Sequence, residues 1–159
     1  MSSIQEDYIL RMVQMMGEVI TAALRLRKTG HVVEADQTLN DALLTIMPDH
    51  ADLIEMVDPQ TALKLLGSSQ LIDAYLELLL ERAELKIALN QTTEAESIQT
   101  KALRIFILSI QRDKKLSPLG QLLWGRLAGL EVYLLLGDSE YQEWENLEKL
   151  ITRGVIQSP

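Results

Sequence analysis

The sequence predicts an all-α protein of stacked antiparallel helical hairpins, with about six long helices and two short ones. Apolar residues recur at steps of three and four along most of the chain, which is the period of an amphipathic helix. Aromatic residues make up only 4% of the sequence although 47% is hydrophobic, and the 8 glycines and 4 prolines are widely spaced. The 159 residues suffice for one domain with its own core, predicted over 1–154, followed by a C-terminal tail over 155–159.

The first helix is predicted to run from about Ile4 to Lys28 and to end at Gly30, because glycine readily takes the left-handed conformation that closes a helix. Its apolar residues form two adjacent seams: Tyr8, Met12, Met15, Val19, Ala22 and Leu26 in one, and Ile9, Val13, Met16, Ile20 and Ala23 in the other. Two seams form a face wide enough to contact two neighbours. The second helix covers only one of them. Neighbouring helices of the chain or a second copy would cover the other, and we favour the second copy, hence a homodimer.

The second helix is predicted from Val32 to Met47, where Pro48 closes it, and two short helices follow within residues 49–67. Asp58-Pro59 is typical of a helix start, because aspartate caps the free backbone N–H groups and proline fits the first helical position. Gly67 ends the second of these short helices. Longer helices then follow over 70–89, 93–112, 118–137 and 139–153.

Three of these later helices have recognisable start signals. Ser117-Pro118 resembles the start at Asp58-Pro59. A threonine or serine followed three residues later by Glu or Gln is the spacing of a capping box, in which each side chain satisfies a backbone N–H of the first turn. Such pairs, Thr93 with Glu96 and Ser139 with Gln142, are predicted to open the helices over 93–112 and 139–153.

One pattern occurs twice with identical spacing. Glu34-Ala35 followed by Ala42-Leu43 is repeated sixty residues later as Glu94-Ala95 followed by Ala102-Leu103. The pattern resembles the second helix of a tetratricopeptide repeat, a hairpin in which small residues lie where two helices cross. A third trace, Trp124 with Leu127 and Ala128, resembles the start of such a repeat. The resemblance implies buried alanines in each hairpin, whereas an ordinary all-α bundle is the alternative.

The opening of the chain carries a second resemblance. The stretch EDYILRMVQMMGEVITAALRLRKTGHVVEA over residues 6–35, with its entry Asp7-Tyr8-Ile9-Leu10-Arg11-Met12, is similar to a family of small uncharacterised bacterial proteins with tetratricopeptide-like folds. The resemblance implies stacked helical hairpins and a bacterial source. It brings no catalytic residues with it.

Composition and charge restrict the classes of function. The chain has no cysteine, which excludes disulfides and thiolate chemistry and fits the cytoplasm. The net charge is −8, and residues 31–100 hold thirteen acidic and three basic residues. Such a segment repels phosphates, so nucleic acid is not an expected partner. We see no signal peptide and no apolar run near the ~20 residues of a membrane span, so no membrane association is expected.

The candidate site is a row of carboxylates, called here the acidic stripe: Asp73, Glu77, Glu81 and Glu84. Their steps of four, four and three residues place them on one face of a helix. In tetratricopeptide-like stacks the first helices line the concave face, so the resemblance implies that the stripe contacts a basic protein or peptide. A solvated outer face, with Arg82 and Lys86 neutralising the stripe, is the alternative. Carboxylates can also hold a hard cation or act in acid–base chemistry.

No other pattern predicts catalysis. Asp49, His50 and Asp52 could ligate a metal chemically, but they are ordinary residues for a turn that follows a proline. No phosphate-binding loop or nucleophile motif occurs. We therefore predict no catalytic residue, no metal and no cofactor. The predicted function is a non-enzymatic protein–protein interaction or scaffold module, and the alternative is a small carboxylate-based metal-binding protein or enzyme.

Overall fold

A computed structural model of the chain describes residues 3–156 and confirms the all-α class. Within that range there are nine helices and no strand. The helices are α1 (Ser3–Lys28), α2 (Val32–Ile46), α3 (Ala51–Met56), α4 (Pro59–Leu66), α5 (Ser69–Ala88), α6 (Thr92–Asp113), α7 (Pro118–Ala128), α8 (Val132–Leu136) and α9 (Asp138–Thr152).

The hairpins α1–α2 and α5–α6 are closed by the same backbone turn. Gly30 ends the first turn at φ 87°, and Asn90 takes its place in the second at φ 60°. Asparagine is one of the few residues that tolerate this left-handed region. In both turns the next N–H donates to the carbonyl oxygen five residues earlier, His31 to Leu26 and Gln91 to Lys86, each at 2.8 Å. The sequence pattern that recurs after sixty residues is therefore also a recurrence of local structure.

The small residues of the repeated pattern lie inside the protein, as predicted. Ala35 and Ala42 are buried in the α1–α2 hairpin, and Ala95 and Ala102 are buried in the α5–α6 hairpin. Both pairs belong to hairpins whose two helices pack along each other. A methyl group at these positions lets the helix backbones approach closely.

The centre of the protein is α5, which packs against α1, α2, α4, α6 and α7. No residue between Leu71 and Ala83 is exposed. The core gathers around it and includes the fully buried side chains of Tyr75 on α5 and Phe106 on α6. A side chain on α5 is therefore held by neighbours on several sides.

The single helix predicted over 118–137 is wrong, because two helices occupy this segment. At Gly129 the N–H donates to the carbonyl of Arg126 at 3.2 Å, and Leu130 donates to Leu127 at 3.1 Å. Such bonds, three residues back, tighten the last turn of α7 and end it. Glycine disfavours a helix interior, so Gly125 and Gly129 weaken the helix where it stops.

The two predicted capping boxes do not form. Neither the N-cap of α6, Gln91, nor that of α9, Gly137, makes a side-chain capping bond. A turn residue with positive φ lies just before each helix: Gly137 directly precedes α9, and Asn90 lies two residues before the first residue of α6. Thr93 and Ser139 are each the second residue of their helix and so already lie inside its first turn. The hydroxyl groups are thus displaced from the capping position that their spacing to Glu96 and Gln142 suggested.

The predicted starts at a capping residue followed by proline are confirmed. The Asp58 carboxylate accepts a hydrogen bond from the N–H of Thr61 at 2.7 Å, which caps α4 and lowers the pKa of Asp58. The Ser117 hydroxyl accepts from the N–H of Gly120 at 2.8 Å and caps α7.

The chain after α9 continues into the core. Ile156 is buried, although the tail was predicted to begin at residue 155, and the rest of that tail, residues 157–159, lies outside the described residues. Over residues 3–156, no helix has the length and apolar character needed to cross a membrane.

Candidate functional site

The acidic stripe runs along the side of α5 that meets α1 and α7. Glu81 contacts Arg27 in the last turn of α1, and Asp73 contacts Ser117 at the start of α7. Asp73 and Glu77 are half-buried, Glu81 is buried, and Glu84 is exposed. Of the four stripe residues, only Glu84 is exposed as the alternative of a solvated outer face requires.

Glu81 of the stripe forms a buried ion pair with Arg27. Arg27 Nε donates to Glu81 Oε1 at 2.7 Å and Nη2 donates to Oε2 at 3.4 Å, while only 4% of the Glu81 side chain is exposed. The hydrogen bond to Glu81 raises the pKa of the Arg27 guanidinium. A buried carboxylate that loses its partner is strongly destabilising, so this pair ties α1 to α5.

Asp73 fixes the start of α7 on α5. The Ser117 hydroxyl donates to Asp73 Oδ2 at 2.6 Å and at the same time caps α7. Burial raises the pKa of Asp73, the hydrogen bond from Ser117 partly offsets that shift, and the negative charge of Asp113 adds to it. Asp73 therefore joins two helices of the same chain.

Glu77 and Glu84 are the stripe carboxylates that remain free to interact. Neither makes a hydrogen bond or ion pair with another residue of the described range. Burial raises the pKa of Glu77, while the positive charge of Arg126 on α7 acts in the opposite direction. Glu84 adds its negative charge next to the Arg27–Glu81 pair.

The cations that sequence proximity assigned to the stripe are engaged elsewhere. Arg82 binds Glu55 of α3. Lys86 binds Asp36 of α2 at 3.3 Å, and its second acidic neighbour is Glu94 of α6 at 3.6 Å. Arginines of other helices lie beside the stripe instead. Of these arginines, Arg27 alone carried a signal in the sequence, because it lies in the basic last turn of α1.

The stripe borders a small cavity at its Asp73 end. This cavity of about 210 Å³ lies between the end of α6 and the start of α7 and includes Ser109, Lys115 and Ser117 in its lining. It is smaller than a typical small-molecule site of ~300–1,000 Å³. Clefts of about 380 and 440 Å³ lie elsewhere, along α6 with α8 and with α9 respectively, and they contain no stripe residue. The stripe therefore does not line a cavity of the size that small-molecule sites have.

The other candidate ligands are dispersed. Asp49, His50 and Asp52 are exposed in and after the turn between α2 and α3. Within residues 3–156, no three His, Asp or Glu side chains are grouped so that they could hold a metal ion.

Comparison with known proteins returned no relative. No protein-family model, no curated protein and no solved structure matches the chain. The resemblance to bacterial tetratricopeptide-like proteins therefore stays a prediction.

Proposed function

We propose that the protein is a non-enzymatic protein-binding module, resembling tetratricopeptide-like proteins, that recognises a basic amphipathic helix through the acidic stripe. The observation that carries the proposal is that Glu77 and Glu84 have no hydrogen-bond or ion-pair partner within residues 3–156, while the other two stripe carboxylates are engaged. The resemblance of residues 6–35 to bacterial proteins supports a bacterial source, and the lack of cysteine supports the cytoplasm, as parts of the same proposal.

The surroundings of these two glutamates favour binding without rearrangement. The helix that carries them is packed against five others, and the contacts of Glu81 and Asp73 hold its neighbours in place. A site on a rigid element loses little conformational freedom when a partner binds.

The spacing of the two carboxylates specifies the partner. Glu77 and Glu84 are seven residues apart, which is about 10.5 Å along a helix axis at ~1.5 Å per residue. A partner helix with two basic residues at the same spacing matches both charges, and binding of an amphipathic helix through one face is a common recognition mode. The partly desolvated position of Glu77 makes the attraction stronger than between fully solvated charges.

The test uses synthetic amphipathic helices in pairs. One set carries two arginines seven residues apart, a second set carries them four apart, and a third carries glutamates in place of the arginines. Fluorescence anisotropy should show tightest binding to the first set. Binding should weaken between 0.1 M and 1 M salt, as the Debye length falls from about 10 Å to about 3 Å.

Two variants locate the binding surface. Glu77→Gln combined with Glu84→Gln should weaken binding of the first set at least tenfold, because both charges are removed without a change of shape. The matched control is Glu34→Gln with Asp41→Asn, two exposed carboxylates at the same spacing on α2, and it should bind normally. Glu81 stays unchanged because it is buried in an ion pair. Equal binding by both variants, or no preference for basic peptides, contradicts the proposal.

A further inference from the structure

One face of α1 is apolar and uncovered. Tyr8, Met15 and Ala22 recur every seven residues, and all three are exposed, with 57% of Tyr8 and 36% of Met15 accessible to solvent. A seven-residue repeat keeps apolar side chains on one side of a helix, which is the pattern through which helices pair. These residues form the outer part of the first seam, whose other members are buried or half-buried: Met12, Val19 and Leu26. The second seam is covered by α2 and α5.

Three exposed charged residues, Arg11, Glu18 and Arg25, recur every seven residues beside this apolar face. Arg11 and Glu18 are exposed, lie seven residues apart and form no ion pair with another described residue. Their midpoint falls next to Met15, which is also the midpoint between Tyr8 and Ala22. About a two-fold axis at Met15, the large Tyr8 lies opposite the small Ala22, and Arg11 lies within one residue of Glu18 of the other copy.

We propose that α1 pairs in antiparallel orientation with α1 of a second copy of the chain, about a two-fold axis near Met15. In this arrangement Met15 meets Met15, and each bulky Tyr8 lies against the small Ala22 of the other copy. Each Arg11 meets Glu18 of the other copy, so one charge pair is made twice. Two-fold interfaces have this property, because each contact between different residues is repeated by symmetry.

The charges favour this occupant over others. A uniformly basic or acidic helix would place a like charge beside either Arg11 or Glu18. A parallel second copy would bring arginine to arginine and glutamate to glutamate. Of these occupants, only the antiparallel copy places an opposite charge beside both Arg11 and Glu18. Like charges across an interface suppress the other pairings. The dimer contact lies on α1 and the acidic stripe on α5, so the dimer does not depend on the proposed function.

The first test exchanges the charges. Sedimentation of the full chain should show a dimer that dissociates on dilution, since a single helix face is a small interface. Arg11→Glu and Glu18→Arg should each weaken self-association at least tenfold, because each variant faces its copy with like charges. The double variant should restore it, and an equimolar mixture of the two single variants should form a mixed dimer. Circular dichroism confirms that each variant is folded.

The second test fixes the orientation by cross-linking. The chain has no cysteine, so introduced ones report only on their own contacts. Met15→Cys should form a disulfide-linked dimer under mild oxidation. A mixture of Tyr8→Cys and Ala22→Cys should cross-link to each other, while neither should cross-link alone.

Any of three results overturns the inference. The first is a wild-type chain that stays monomeric at every concentration. The second is a dimer unaffected by either single charge change. The third is cross-linking of Tyr8→Cys to itself in preference to Ala22→Cys.

Discussion

The helices α1 and α5 begin hairpins with the same turn, but they differ in how much of their surface is covered. At positions sixty residues apart, the buried Leu71, Leu78 and Leu85 of α5 correspond to the exposed Arg11, Glu18 and Arg25 of α1. The fully buried Tyr75 corresponds to Met15, which is 36% exposed. The same turn and alanine pattern therefore occurs in two hairpins whose first helices differ: α5 is central and α1 is an outer helix.

The acidic stripe has no counterpart in the first hairpin. The positions of α1 that correspond to the acidic stripe are Val13, Gly17, Thr21 and Leu24, none of which is charged. The turn and the alanines are shared because they serve the hairpin, whereas the carboxylates occur only on the central helix.

The largest effect should come from the contact that joins the two hairpins. Arg27→Met leaves the buried Glu81 without a partner, which should lower the free energy of unfolding by about 3 kcal/mol in urea denaturation. Arg25→Met is the control, because Arg25 occupies the same last turn but is exposed, and it should change stability by less than about 0.5 kcal/mol. Replacing the whole pair, as Arg27→Met with Glu81→Leu, should recover most of the loss. Equal effects of the two arginine variants would show that the hairpins do not depend on this pair.

A smaller effect should appear in both hairpins alike. Ala42→Leu and Ala102→Leu each add bulk at a buried core position of their hairpin, so each should cost about 1–3 kcal/mol. Ala88→Leu, at the exposed end of α5, should be nearly neutral. The comparison of the two hairpins fails if one of the first two variants is destabilised and the other is not.

The smallest effect is the pH dependence of stability caused by Asp73, a carboxylate of α5 whose counterpart in α1 is Val13. Burial raises the pKa of Asp73, so the folded state holds its proton at a pH where the unfolded chain has released it. The contribution of Asp73 to stability is therefore present at low pH and declines as pH rises through its raised pKa. Asp73→Asn removes this dependence, so the stability of the wild type relative to the variant should fall with rising pH. A difference that grows more favourable to the wild type instead would contradict the direction of the shift.

Local features of the fold were predictable, and features set by packing were not. The turn at Gly30, the starts at Asp58 and Ser117 and the burial of the repeated alanines follow from residue type and spacing. The break at Gly129 was missed because Val132 and Leu136 continue the apolar period beyond it. The boxes at Thr93 and Ser139 failed because each of these residues is the second residue of its helix and not the residue that precedes it.

The site was predictable to a similar extent. Spacing placed the four stripe carboxylates on one face of one helix. It did not reveal that Arg27, fifty-four residues from Glu81, completes an ion pair there, because that contact depends on how the hairpins pack. Nor did it separate the engaged Asp73 and Glu81 from the free Glu77 and Glu84.

The most direct test of the binding surface is nuclear magnetic resonance titration of the labelled chain with the basic helix that carries arginines seven residues apart. We predict that the largest amide shifts cluster over residues 73–84 of α5 and at Arg27 and Arg126 beside the stripe. Shifts that cluster instead along the clefts of α6 with α8 and α9 would contradict it.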